Sequence, residues 1–262
     1  KFRAARKLWA RMLKEDYAVT NPKNLFLRGL FGGGGSGLTK AQPENNIMRG
    51  AFYALAAALS GAQTTALCSF DEAYTIPTPR AALLSLRTLE IIMDEVGLRD
   101  TVDPLAGSYF VETLTKQMEA KILAEMQEVQ KIGGMRHAVA TGHIQRKVSR
   151  QAYEFEKGLQ DGTYVKVGVN KYTDSGENSP DVELHAHDDS WADAQTAGLR
   201  ELRRTRDNRE VARTLKALES GTRAGKNVMP YLVDCCRAYA TVGEMAGVFR
   251  QVFGEWDEPS LF

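Results

Sequence analysis

Phe31-Gly32-Gly33-Gly34-Gly35-Ser36-Gly37-Leu38-Thr39 is the stretch on which the reading of this chain turns. Five glycines within six residues stand between a mostly apolar run, Leu25 to Leu30, and a helix-like run from Asn45 to Ser60. Glycine lacks a Cβ and accepts positive φ, so the backbone of such a run can lie close against a flat or anionic ligand. Leu25 to Leu30 reads as a buried parallel strand, since such strands are continuous apolar runs. Strand, glycine loop and helix in that order describe a βα ligand loop of an α/β protein. A flexible surface loop would use the same glycines, so the flanks have to decide.

On the amino side, Phe2, Ala5, Leu8, Trp9, Met12 and Leu13 recur with the 3.6 period of a helix. Arg3, Lys7, Arg11 and Lys14 take its outer face, and no capping residue precedes it, as if the chain began inside a helix. On the carboxyl side, Pro43 and Glu44 lead into a helix with Ile47, Ala51, Leu55, Ala58 and Leu59 on one side, closed by Gly61. Thr64 to Phe70 reads as a second strand, with Asp71-Glu72-Ala73 at its carboxyl end. Pro79 suits the first turn of a helix running to Val96, and Gly97 stops it. Strands alternating with helices predict βα units and a parallel sheet. Two strands cannot close a barrel, so the sheet is small and open or the rest of it lies outside this stretch.

Beyond residue 100 the character changes. Asp103 to Tyr109 is irregular, and Phe110 to Ile132 reads as a long helix ended by Gly133-Gly134. A basic helix follows from Gln145 to Gly158, and Tyr164 to Val169 reads as a short strand. Thr173 to Asp189 is a polar loop, Ala192 to Ser220 one charged helix, and Leu232 to Phe253 holds one more. The expected division is therefore 1–100, βα units, and 101–262, a mainly helical extension.

Composition narrows the classes. With 34 basic and 33 acidic residues the net charge is +1, which gives no electrostatic pull toward nucleic acid or an anionic membrane. The apolar stretch Ala51 to Leu59 is too short to span a bilayer. Lys1-Phe2-Arg3-Ala4-Ala5-Arg6 is no signal peptide, and the missing initiator Met reads as a trimmed piece. Cys68, Cys235 and Cys236 are odd in number and offer no CxxC pair, which fits a reduced, cytoplasmic compartment.

Three clusters could carry chemistry. His185 and His187, with Asp188 and Asp189, have the alternation of strand metal ligands but no third ligand, and a polar surface loop reads the same way. His143, Arg146, Lys147 and Arg150 could receive phosphates, or could simply be the wet face of a helix. Asp71 and Glu72 lie where α/β proteins carry ligand-binding residues, although Asp at a strand-to-helix junction is also an ordinary cap. No Walker loop, zincin motif or nucleophile elbow is present, and the glycines do not have dinucleotide spacing.

Five separated motifs carry a resemblance. Leu38-Thr39-Lys40-Ala41-Gln42-Pro43-Glu44-Asn45-Asn46-Ile47-Met48-Arg49 resembles the L-T-x-x-x-P-x-N-N-I-x-R segment of the adenosylcobalamin-dependent acyl-CoA mutases, the methylmalonyl-CoA mutase type. Ser69-Phe70-Asp71-Glu72-Ala73 with Ile76-Pro77-Thr78 is similar to the same family. So are Asp103 to Tyr109, beside its D-P-x-G-G-S-Y, and Gly133-Gly134-Met135 with Val167 to Tyr172. Thr241 to Met245 and Val252 to Glu255 resemble the end of its catalytic domain.

The resemblance implies an α/β fold: the C-terminal part of a (β/α)8 TIM barrel, about two parallel strands with flanking helices, then the helical extension. It implies an isomerase that rearranges an acyl-CoA carbon skeleton by radical 1,2-migration with adenosylcobalamin, and that is inactive as this stretch alone. The partners implied are the acyl-CoA substrate, the N-terminal half of the barrel and a cobalamin-binding subunit or domain. By the same resemblance Glu72 holds the ribose of the adenosyl group, and Gly35 packs near the cofactor. Gly32 and Cys68 stand where the family has glutamine and asparagine, which would open the site to a bulkier or less polar acyl group, or leave it degenerate. Ser108, with Arg146 and Lys147, is expected on the acyl-CoA. A non-catalytic assembly module and an unrelated phosphosugar-type barrel enzyme are the other readings.

Overall fold

The computed structural model describes residues 1–173 and 182–259. It divides into two compact units, Lys1–His185 and Ala186–Ser260.

In the first unit, helix α1 (Phe2–Glu15) precedes strand β1 (Leu30–Gly33), helix α2 (Asn45–Leu59), strand β2 (Thr64–Leu67) and helix α3 (Pro79–Glu90). β1 and β2 pair in parallel, Leu30 opposite Thr64 through Gly33 opposite Leu67. This is the expected βαβα order, with a parallel sheet of two strands. The first strand, however, lies five residues later than Leu25. Pro22–Leu25 forms a 3-10 turn capped by the Asn21 side chain, and the ladder runs into the first two glycines. The second strand stops at Leu67 rather than Phe70.

The buried face of α2 is Asn46, Gly50, Ala54 and Ala57, rotated from the larger apolar residues the periodicity favours. Small residues let the helix sit close on the sheet, and Leu67 lies against Gly50. Thr78 caps α3 by accepting from Ala81 N–H, with Pro79 at the first turn. The helix then widens into a π turn over Ile91–Glu95 instead of running evenly to Val96. Helices α4 (Tyr109–Lys131), α5 (Gly134–Ala140) and α6 (His143–Gln160) follow. α1 is fastened to α4 by ion pairs of Arg3 with Asp103 and Glu112, and of Lys7 and Arg11 with the largely buried Glu119.

The expected strand at Tyr164 to Val169 is a turn with one bridge, Val167 to Lys171. Gly168 has φ +79°, and the Asn170 side chain bonds Leu159 O, Tyr164 O and Lys166 N–H, satisfying backbone that a ladder would otherwise serve. Of the expected loop from Thr173 to Asp189, residues 174–181 lie outside the described residues.

In the second unit, the helix expected over Ala192 to Ser220 is two: α7 (Ser190–Thr205) and α8 (Asn208–Arg223). Arg206 is extended, and Asp207 restarts the chain by accepting from Arg209 and Glu210 N–H. Likewise Leu232 to Phe253 divides between α9 (Met229–Arg237) and α10 (Val242–Phe253). Tyr239 takes φ +61°, and Thr241 and Glu244 form a capping box. Leu218, Cys235 and Val248 make the core of these three helices. Among the described residues no helix is long and apolar enough to cross a membrane.

Candidate functional site

Because β1 and β2 are parallel, their carboxyl ends lie at one edge of the sheet. The glycine loop leaves one and the Cys68 to Thr78 loop leaves the other, side by side. The two loops are joined by Asn46, which is 1% exposed. Its amide oxygen accepts from Thr39 N–H at 3.1 Å, and its amide nitrogen donates to Thr39 O at 2.8 Å and Phe70 O at 2.9 Å. Arg49, one turn on, donates to Asn46 Oδ1 and Thr39 Oγ1 and reaches Val167 O at 2.7 Å. The L-T…N-N-I-x-R pattern is thus a clamp: its polar residues satisfy the backbone of loops that carry no ladder.

Asp71 is fully buried and serves the loop from inside. It accepts from Ser69 Oγ at 2.6 Å, Thr78 N–H at 3.0 Å and Thr78 Oγ1 at 3.2 Å. Of the expected pair, Asp71 therefore holds the fold, and Glu72 is the carboxylate turned to solvent.

Glu72 meets two other expected site residues. A Cβ placed on Gly35 would lie 3.1 Å from Glu72 Cγ and 3.3 Å from its Oε1, so the glutamate occupies the space next to a side chain at this position. Gly35 N–H donates to the half-buried Cys68 thiol. Burial first, and then the Glu72 charge, push that thiol up against the lowering effect of the hydrogen bond. No ion pair engages Glu72 among the described residues. Cys68 and Glu72 border a cleft of about 490 Å³ with Leu67, Pro77 and Leu86 on its walls. A second cavity of about 450 Å³ lies at the opposite, amino end of β2, among Arg6, Gly61, Ile92 and Met93. Parallel α/β sheets bind ligands beyond the carboxyl ends of their strands, so the cleft at Glu72 is the candidate site.

The other expected residues lie elsewhere. Gly32 is inside the ladder opposite Ala66, and a Cβ there would fall 1.9 Å from Ala66 O. The expectation that Gly32 opens a pocket is corrected: the neighbouring strand closes that position. Ser108 caps α4, accepting from Val111 N–H. Arg146 and Lys147 are exposed on α6, and Lys147 pairs with Glu125 of α4. His187 pairs with Asp189 at 3.0 Å, and no group of metal-ligating side chains is present among the described residues. Sequence reasoning missed the roles of Asn46 and Arg49. The available signal was an amide and a guanidinium at helical positions i and i+3 just beyond a glycine loop.

A parallel βα pair with an exposed carboxylate beside a glycine loop places the first unit among α/β proteins. Residues 1–255 match the family model described as Methylmalonyl-CoA mutase, and the chain belongs to that family. It is 35% identical to the 2-hydroxyisobutanoyl-CoA mutase large subunit of Aquincola tertiaricarbonis over its whole length, covering 47% of that protein. It is 37% identical to the methylmalonyl-CoA mutase of Rhizobium meliloti, with 98% of the chain and 36% of the relative aligned. With the mitochondrial methylmalonyl-CoA mutase of Homo sapiens the identity is 36%, over 97% of the chain and 34% of the relative. The chain spans between a third and a half of the length of these relatives.

Proposed function

We propose that this chain forms part of an acyl-CoA mutase using adenosylcobalamin, an isomerase acting on an acyl-CoA carbon skeleton. Residues 1–100 would supply the last βα units of a (β/α)8 barrel and residues 101–262 the helical extension. One observation carries the reading: within a family member, Gly35, Cys68 and the carboxylate of Glu72 meet at the carboxyl end of β2. The fit to the cofactor is chemical. A carboxylate over a glycine backbone, with no cation paired to it among the described residues, is an acceptor left for ribose hydroxyls. When bound, adenosylcobalamin supplies the radical chemistry. Glu72 orients, Gly35 allows close approach, and Leu67 and Leu86 offer an apolar wall for the rest of the protein to close.

The acyl-CoA would reach further side chains, with Ser108, Arg146 and Lys147 proposed on its path. The N-terminal half of the barrel and a cobalamin-binding domain or subunit complete the machinery. In support, β1 and β2 pair only with each other among the described residues, and Leu30 and Phe52 are two-thirds exposed. Cys68, standing where the family has an amide, favours a less polar acyl group. It equally suits the second reading, a degenerate assembly module.

The test is Glu72→Ala in the assembled enzyme. Loss of a charged hydrogen bond of about 1.5–3 kcal/mol should raise the half-saturating adenosylcobalamin concentration at least tenfold. Unchanged cofactor dependence refutes the assignment. Absence of any adenosylcobalamin-dependent spectral change in the unaltered protein favours the assembly module.

A further inference from the structure

We infer that Gly35 is a positioning residue, whose missing side chain leaves the seat in which the Glu72 carboxylate lies beside Cys68. The inference rests on the reading of Glu72 given above and adds a role that the glycine pattern alone does not contain. The glycines of the loop are not equivalent. Gly34 meets only Ser36 Oγ at 3.9 Å, and its backbone (φ −71°, ψ 153°) suits any residue. Gly32 is required by the ladder, since the obstacle is a carbonyl of the neighbouring strand. Gly35 has no left-handed φ that would demand glycine. What a side chain would meet there is the Glu72 side chain, at 3.1 Å and 3.3 Å. A methyl group at 35 therefore leaves the fold free to form and obliges one thing to give way by a few tenths of an ångström, the glutamate.

The displacement has a reporter. Cys68 receives the Gly35 N–H and feels the Glu72 charge. Among the described residues no other charged group enters its surroundings. The facing residues of α2 are Asn46, Ile47 and Gly50, and those of α3 are Leu84, Ser85 and Thr88. On its own loop Asp71 is enclosed by Ser69 and Thr78. The thiolate is the reactive form, so its alkylation rate follows the distance of the Glu72 carboxylate.

The experiment is site-resolved alkylation of Cys68 by iodoacetamide, followed by mass spectrometry from pH 7 to 10, on the assembled protein. Glu72→Gln should speed alkylation about two- to fivefold at a fixed pH, through loss of one nearby negative charge, and Gly35→Ala should speed it by less, through a carboxylate that is moved but kept. The double variant should be no faster than Glu72→Gln alone, because once the charge is gone its displacement has nothing to act on. Gly34→Ala should leave the rate unchanged. The inference is overturned if Gly35→Ala matches the parent, if Gly34→Ala shifts the rate equally, or if the two effects multiply. Adenosylcobalamin titration of the same proteins separates the seat from the function. A faster thiol in Gly35→Ala with unchanged cofactor dependence would keep the seat and refute the cofactor role of Glu72.

Discussion

Replacing Asn46 by alanine should unfasten the candidate site without touching any residue proposed to meet a ligand. The change removes three hydrogen bonds to backbone: from Thr39 N–H, to Thr39 O and to Phe70 O. Thr39 is 8% exposed, so water replaces little of what is lost. Each buried backbone group left unsatisfied costs about 1–3 kcal/mol. Arg49 still reaches Thr39 Oγ1, so that hydroxyl keeps its partner in both proteins. A net destabilisation of about 3–5 kcal/mol follows for the βαβ segment, the estimate resting on two groups fully unpaired and a third partly hydrated. Asn45→Ala is the control, since its side chain bonds only the neighbouring Gln42, and it should cost less than about 1 kcal/mol. Hydrogen–deuterium exchange at the Thr39 amide reads the effect locally, and urea unfolding reads it globally. Equal losses for the two variants, or an unchanged Thr39 amide, would refute the clamp.

Other outcomes are as definite. Gly32→Ala should destabilise by at least about 1–3 kcal/mol, because its Cβ would collide with Ala66 O, and Gly32→Gln should do worse; a normal melting temperature for either would contradict the ladder register. In the second unit, Arg206 is 5% exposed and bonds both carboxylate oxygens of Glu244, so Glu244→Ala should cost about 3–5 kcal/mol through the unpaired cation, as measured by thermal unfolding. Arg206 holds the Glu244 carboxyl down to about 2 from an ordinary 4.5. Its folded value lies below its unfolded one, so its stabilisation is complete above about 4.5 and is lost as pH falls toward about 2; Glu244→Gln should flatten the unfolding curve in that window alone.

What could be read from the sequence was local. Pro79 after Thr78 announced a helix start, and Gly61 and Gly97 announced stops, because caps and left-handed glycines act within a few residues. The parallel pairing followed from the alternation of elements. The start of β1 did not, since Leu25 to Leu30 is apolar enough for a strand and only the Asn21-Pro22 turn diverts it. The breaks at Arg206 and Tyr239 had signals in Asp207 and in Thr241 with Glu244, outweighed by helical charge patterning on both sides. In the candidate site, the position of Glu72 just beyond a strand was legible, its role was not. Gly32 misled, because a missing side chain looks the same in sequence whether it opens space or yields it to a neighbour. Asn46 and Asp71 mostly serve partners within seven residues, Thr39, Ser69 and Thr78, but which backbone groups a loop leaves unpaired is decided by its folded path and not by its composition.

The open edges of the two strands have a kinetic consequence. The outer N–H and C=O groups of β1 and β2 have no ladder partner among the described residues, and Leu30, at two-thirds exposure, stands beside them. Such edges accept any extended chain of fitting register, including a second copy. Closure onto a covalently attached neighbour is first order, whereas pairing between copies is second order. The stretch made alone should therefore be recovered at low synthesis rates and lost to precipitation at high ones, and tethering the proposed N-terminal half of the barrel should abolish that dependence on concentration.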